Sequence, residues 1–311
     1  MRDAQPKRRD AGAAAAAWLG ALGLAWGLWA AAATPPAAST GKPPAKPARA
    51  PVVKDGMAFL TGGQYRPLYL SEDSPVVEVD DFWLDVEPVS NKEFAAFVGA
   101  HPKWDRARAP KLFADPGYLG HWRLGSASPG SDDRGLGRPS VKQAGSAPLR
   151  QDWDKPVTRV SWYAADAYCR SLGKRLPTVA EWEYAGSASQ TDPMGSREPG
   201  YTQTILEWYA RPAGDALPDL GKTPPNYWGA RDMHGVVWEW VDDFNSALVT
   251  GESRSDGQID KNLFCGAGAA GAADPTDYAA FMRFAFRSSL KASYVLPTLG
   301  FRCAKSRAAG Q

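Results

Sequence analysis

The chain has 311 residues, with 36 Lys and Arg against 34 Asp and Glu, for a formal charge of +2. That balance excludes a nucleic-acid binder that relies on bulk positive potential, and it equally excludes an acidic disordered chain. Hydrophobic residues at 44% supply a core, and 13 Trp, 31 Gly and 26 Pro predict a rigid, loop-rich globule of about one to two domains rather than a helical bundle.

Arg2, Lys7, Arg8 and Arg9 precede an apolar run of about 22 residues from Gly12 to Ala33, ending in three alanines. Residues 1–33 therefore read as a signal peptide or, uncleaved, as an N-terminal membrane anchor. The basic flank places the remainder outside the cytoplasm, periplasmic or secreted, and held at the inner membrane if the anchor stays. Residues 34–50 are mostly Pro, Ala and Lys and read as a linker with little to bury. The folded part is expected over 51–305, with 306–311 as a tail.

Met57 to Leu60 reads as a strand closed by Thr61-Gly62-Gly63, and Val76 to Val86 as a second strand. Ser90 and Glu93 form a capping box for a first helix that buries Phe94, Phe97 and Val98 and stops at His101-Pro102. Lys103 to Asp154 reads as long ordered loops. Ser161 caps a second helix with Ala165, Tyr168, Cys169 and Leu172 inward and Gly173 at its end. Thr178 and Glu181 box a third helix. Asp274-Pro275-Thr276-Asp277 opens a fourth, with Tyr278, Phe281, Met282 and Ala285 inward. Short helices among short strands and long loops give an α+β class.

The run from Pro156 to Cys169, continuing through Gly173-Lys174-Arg175-Leu176-Pro177-Thr178 to Glu181-Trp182-Glu183-Tyr184-Ala185, strongly resembles the signature of the formylglycine-generating enzyme (sulfatase-modifying factor) family. Gly56-Met57-Ala58-Phe59, Val89-Ser90-Asn91, Met233-His234-Gly235 with Trp238-Glu239-Trp240, and Leu299-Gly300-Phe301-Arg302-Cys303 agree, in the family's order. The resemblance implies a single domain of complex C-type-lectin-like fold. Taken physically, Lys174, Arg175, Glu181 and Glu183 are first of all scaffold, fixing a turn between two helices by charge-assisted hydrogen bonds. Trp162, Trp182, Trp238 and Trp240 are rigid area that holds loops in place.

Active family members oxidise a substrate cysteine to formylglycine with oxygen and copper, held as Cu(I) by two thiolates; soft ligands suit that ion. This chain has three cysteines: Cys169, Cys265 and Cys303. By the resemblance, Cys169 and Cys303 form the family's structural disulfide, a closure stabilising by about 4–5 kcal/mol on the chain-entropy model. The copper thiols should then fall near Asp274 and Ala279, and neither is Cys. Cys265 is either an inert small residue or a reactive or metal-binding thiol, with His234 the imidazole to inspect beside it. Family members hold structural calcium with a Glu and an Asn in the turn occupied here by Gly235 to Glu239. Glu239 remains, but Val236 stands in the Asn place, which weakens such a site.

Copper and calcium are thus the implied cofactors, and neither has its full ligand set. The proposed site is Cys265 as catalytic thiol, with Trp240, Arg283, Arg287 and Ser288 for binding; the arginines could clamp a carboxylate or peptide carbonyl. The expected partner is a protein or peptide, with no nucleic acid and no membrane beyond the anchor. His234-Gly235 through Ser246, together with Phe264 to Ala292, resembles a branch associated with copper nitrite reductase systems. This favours an extracytoplasmic accessory or maturation factor. The alternatives are an oxidoreductase that converts a protein cysteine to formylglycine or a related product, and a non-catalytic lectin-like binding module. No G-x-S-x-G, phosphate loop or H-E-x-x-H is present.

Overall fold

The computed structural model describes residues 50–65, 76–124, 146–195, 198, 200–211, 216–245 and 275–307. All of them belong to the compact unit Lys46–Gln311. The expected signal or anchor, nearly all of the linker, Cys265 and Asp274 lie outside the described residues.

The central sheet is antiparallel, in the order β1(Val53–Lys54), β2(Met57–Leu60), β5(Phe82–Asp85), β10(Ala304–Ser306). Its first and last strands come from opposite ends of the domain, so the fold closes only when the chain returns. The expected domain end at residue 305 falls inside β10, and Arg307 still pairs with Asp81. Two short pairs flank the sheet: β3(Gly63–Tyr65) with β4(Val77–Val79), and β6(Arg123–Leu124) with β7(Ser146–Ala147). β8(Trp238–Trp240) and β9(Leu299–Phe301) pair in parallel.

The strand expected over Val76 to Val86 is two strands in two different sheets. The break falls at Asp80-Asp81, where the Asp81 carboxylate accepts from the Gly62 N–H at 2.7 Å. That bond holds the corner at which the chain leaves one sheet for the other. Within β5 the alternation survives: Phe82 and Leu84 are buried and Trp83 is half-buried. Trp83 pairs across the sheet with Phe59, ring centroids 5.0 Å apart.

The helices α1(Asn91–Ala100), α2(Trp162–Ser171) and α3(Val179–Gly186) start at the expected caps. Ser90 and Thr178 both make complete capping boxes, and Ser161 accepts from the Ala164 N–H. Such caps contribute about 1 kcal/mol each by satisfying N–H groups that the helix leaves open. Leu172 departs from expectation. It sits past the end of α2 as its C-cap and is 53% exposed, because Gly173 at φ 66° turns the chain away before the next helical turn.

Sequence reading missed α4(Tyr201–Tyr209), which has Gly200 at its N-cap and no side-chain cap. The last helix, α5(Pro275–Ser288), runs as expected but is rotated. Ala279, Ala280, Arg283, Phe284 and Arg287 are the buried positions, and Met282 and Ala285 are only half-buried. The side chains of Tyr278 and Phe281 lie outside the described residues.

Phe94 occupies the middle of the core. Its ring lies 5.3 Å from Phe97, 5.8 Å from Tyr168, 6.0 Å from Phe301 and 6.1 Å from Trp122. This ties α1, α2 and β9 into one aromatic cluster, and each fully buried ring contributes on the order of 2–3 kcal/mol. Beside it, Cys169 of α2 is bonded to Cys303, with Cα atoms 5.6 Å apart across a sequence separation of 134 residues. Cys303 leads into β10, so the bond fixes the return of the chain to the sheet. Breaking it, by Cys303→Ser or by reduction, is expected to lower stability by about 2–5 kcal/mol. Urea midpoints with and without reductant would measure this, and coincident midpoints would refute it.

Candidate functional site

Of the expected site residues, Glu239, Arg283 and Arg287 fall in two buried arginine–carboxylate centres, both in contact with Trp182. In the first, Glu239 of β8 and Arg302 after β9 are both fully buried as side chains. The Arg302 Nε donates to Glu239 Oε2 at 2.8 Å and one terminal nitrogen donates to Oε1 at 2.8 Å. Trp182 Nε1 donates to the same carboxylate at 2.8 Å. Arg302 also reaches the backbone carbonyls of Asp85, Val86 and Arg231.

In the second centre, Glu183 of α3 accepts from Arg283 at 2.7 and 3.0 Å and from Arg287 at 2.5 Å. The three side chains are 3–5% exposed. The spacing of the two arginines on α5 puts both on one helical face, one turn apart. The Arg287 guanidinium also stacks over Trp182, 4.5 Å from the ring centroid. Tyr209 of α4 donates to the Ala279 carbonyl at 3.1 Å and accepts from Arg283 at 3.4 Å. Burial pulls the Glu183 carboxyl upward, but the Arg283 and Arg287 charges and their hydrogen bonds outweigh it and hold it down at about 2. Burial works against the Arg283 charge, yet Glu183 and Tyr209 raise its affinity for the proton.

This geometry corrects the role expected of the arginines. A carboxylate is clamped, but it belongs to the chain's own Glu183. The side chain was legible in the sequence as part of the turn after Thr178; what could not be read was that α5 brings both arginines to it. Trp240 is likewise internal: it is fully buried and donates to the Val160 carbonyl at 2.9 Å. It therefore packs and cannot meet a partner. Ser288 is half-buried and donates to the Phe284 carbonyl of its own helix at 2.9 Å. The half-buried tryptophan of this strand is Trp238, which stacks on Tyr209 at 5.0 Å and meets Phe286 at 4.5 Å.

His234 borders the second centre. Its Nε2 lies 2.8 Å from the Gly186 carbonyl and 3.2 Å from the Tyr201 hydroxyl, which itself donates to Gly186. Burial and then the Arg283 charge push His234 down to about 4, so the ring is neutral at neutral pH. A neutral ring that donates from Nε2 carries its lone pair on Nδ1, and that atom is buried with no hydrogen-bond partner among the described residues. Cys265, the thiol expected beside it, lies outside the described residues.

The metal sites implied by the resemblance do not fit the residues present. Two of the three cysteines are spent on the Cys169–Cys303 bond, so a pair of thiolates for Cu(I) cannot be assembled within one chain. Ala279, near which the resemblance places the second thiol, is a buried apolar residue under Tyr209. For calcium, Glu239 already faces the Arg302 cation, and Val236 is buried and has no side-chain oxygen to offer. Among the described residues no group of three His, Cys, Asp or Glu could hold a metal ion.

Both centres predict measurable costs. Glu239→Gln strands the Arg302 charge in the core and is expected to cost about 3–5 kcal/mol, read as a drop in the urea midpoint. Glu183 has its folded-state value held below the ordinary 4.5, so its stabilisation is full above that value and is lost as pH falls toward about 2. Glu183→Gln should therefore be destabilised against the native chain at pH 7, and the gap should close as the medium is acidified to about 2. A gap independent of pH would contradict this charge assignment.

Residues 43–307 match the sulfatase-modifying factor enzyme 1-like domain. The formylglycine-generating enzyme of Streptomyces coelicolor is 31% identical over 320 residues, an alignment spanning 88% of this chain and 95% of that protein. The formylglycine-generating enzyme of Mycobacterium tuberculosis is 30% identical over 220 residues, covering 58% and 72% respectively. A mouse protein named inactive C-alpha-formylglycine-generating enzyme 2 is 31% identical over 231 residues, covering 60% and 68%. With its capped helices, its disulfide and its arginine–carboxylate centres in the matched region, the chain belongs to the sulfatase-modifying factor family, whose members include formylglycine-generating enzymes.

Proposed function

We propose that this chain is a non-classical, extracytoplasmic member of the family that acts by binding a protein partner, not by copper-dependent oxidation of a cysteine. The observation that carries the reading is the Cys169–Cys303 bond, which leaves Cys265 as the single thiol of a three-cysteine chain. A Cu(I) site of the family's type takes two thiolates. The buried Ala279, near which the resemblance places the second thiol, supports the same reading, and so does the existence of a relative named as inactive at 31% identity. The partner is a protein exported to the same compartment; the resemblance of the 234–246 and 264–292 stretches favours a component of a copper enzyme system such as nitrite reductase.

A second reading is an oxidoreductase that modifies a protein cysteine with Cys265 as its only thiol ligand. The length of the match to the Streptomyces coelicolor enzyme favours it. The two readings separate in one assay. Purified full-length chain is incubated with Cu(I), oxygen and a Cys-x-Pro-x-Arg peptide, and aldehyde is captured with a hydrazide probe. No aldehyde is expected under conditions in which the Streptomyces coelicolor enzyme forms it; turnover by this chain would overturn the binding reading. Thiol titration of the unfolded chain is expected to give one thiol before reduction and three after it.

A further inference from the structure

A groove of about 900 Å³ borders the Glu239–Arg302 centre through Asp85 and Val86, whose carbonyls accept from Arg302, and shares no lining residue with the Glu183 centre. Its walls are the β1–β2 turn, the segment from β5 into α1, the C-terminal end of α2 and the loop at Asp219 to Lys222. These walls are tied together by backbone. Val86 N–H donates to the Gly56 carbonyl at 2.9 Å, and Leu220 N–H donates to the Asp154 carbonyl at 2.8 Å. Gly221 N–H donates to Asp232 at 2.7 Å. Gly221 holds φ at 72°, and a Cβ there would collide with the Glu87 carboxylate, so the loop lies directly against that acid. The groove therefore exists before anything binds, which lowers the ordering cost of binding.

Six carboxylates line it against three lysines, so its field is negative. Some of these charges are already used. Asp85 pairs with Lys174 at 2.6 Å, and Glu93 closes the capping box of α1. Glu87, Asp154 and Asp219 have no ion-pair or side-chain hydrogen-bond partner among the described residues. Glu87 is half-buried, and burial followed by the nearby Asp232 charge raises its proton affinity, while the Arg231 and Arg302 charges pull the other way. The rim adds apolar surface: Val53 is 50% exposed and Leu172 is 53% exposed. Large exposed aliphatic side chains beside a concave, charged surface are the composition of an interaction site.

We propose that this groove docks an extended segment of the partner protein carrying arginine or lysine next to an aliphatic residue. The cationic head meets Glu87, with Asp154 and Asp219 at the mouth, and the aliphatic residue rests on Leu172. A guanidinium matches a carboxylate of this kind through two parallel hydrogen bonds. The proposal rests on the partner-binding reading and names the surface and the chemistry that serve it.

The test uses the full chain and fluorescein-labelled peptides in fluorescence anisotropy. One peptide alternates Gly, Leu and Arg; the control replaces each Arg with Glu. The Arg peptide is expected to bind, to weaken as salt is raised, and to lose about fivefold in affinity in Glu87→Gln. Asp219→Asn, on an exposed side chain that the fold does not use, should weaken binding in the same direction, and Leu172→Ser should weaken it without changing the salt dependence. No binding of the Arg peptide, equal binding of the Glu peptide, or equal affinity in all three variants would overturn the proposal. The aldehyde assay uses another peptide and another readout, so its failure and the failure of the groove are told apart.

Discussion

The fold depends on one buried guanidinium. Arg302 has five N–H donors, and five hydrogen bonds leave it: two to Glu239, and one each to the carbonyls of Asp85, Val86 and Arg231. Those acceptors belong to β8, to the segment leaving β5 and to the loop before β8. A domain with strands of two to four residues has few ladder bonds with which to hold its segments. A charge that must be compensated inside the core supplies the constraint instead. Every segment that offers an acceptor to Arg302 is fixed in place, because leaving a buried donor open costs about 1–3 kcal/mol. The disulfide at the next residue fixes the same stretch covalently to α2.

The second centre is built differently. Glu183 faces two arginines, so the cluster is left with an excess positive charge in a buried place. Tyr209, the Ala279 carbonyl and the face of Trp182 share the burden by offering oxygen and π-electron density. Burial, reinforced by the same positive field, holds His234 neutral. α5 is thus anchored by its arginines from within, and Ala279, near which the resemblance places a second thiol, carries a methyl group.

The negative groove and the positive cluster lie on different elements, and their chemistry differs accordingly. The arginine centre is closed on itself, with each charge facing another of the same chain. The groove holds more carboxylates than lysines, and Glu87, Asp154 and Asp219 make no direct ion pair among the described residues, on walls tied by backbone hydrogen bonds. The two regions therefore divide the domain into a part that maintains the fold and a part that can serve association.

The sequence by itself determined the α+β class, the starts of three helices and the supply of sulfur. Capping boxes at Ser90 and Thr178 are local, since a side chain meets a backbone N–H three residues away, and local chemistry is written in local sequence. The limit of three cysteines is a count, and the resemblance supplied the pairing of two of them. Tertiary structure alone decided which way α5 faces. Its aromatic residues suggested an inward stripe, but burying Arg283 and Arg287 is favourable only because Glu183, 100 and 104 residues earlier, is brought against them. It also decided that Trp240 is core and that Glu87 opens onto a groove. Burial, and the charge that stands opposite a charge, are properties of segments distant in sequence, and no local pattern encodes them.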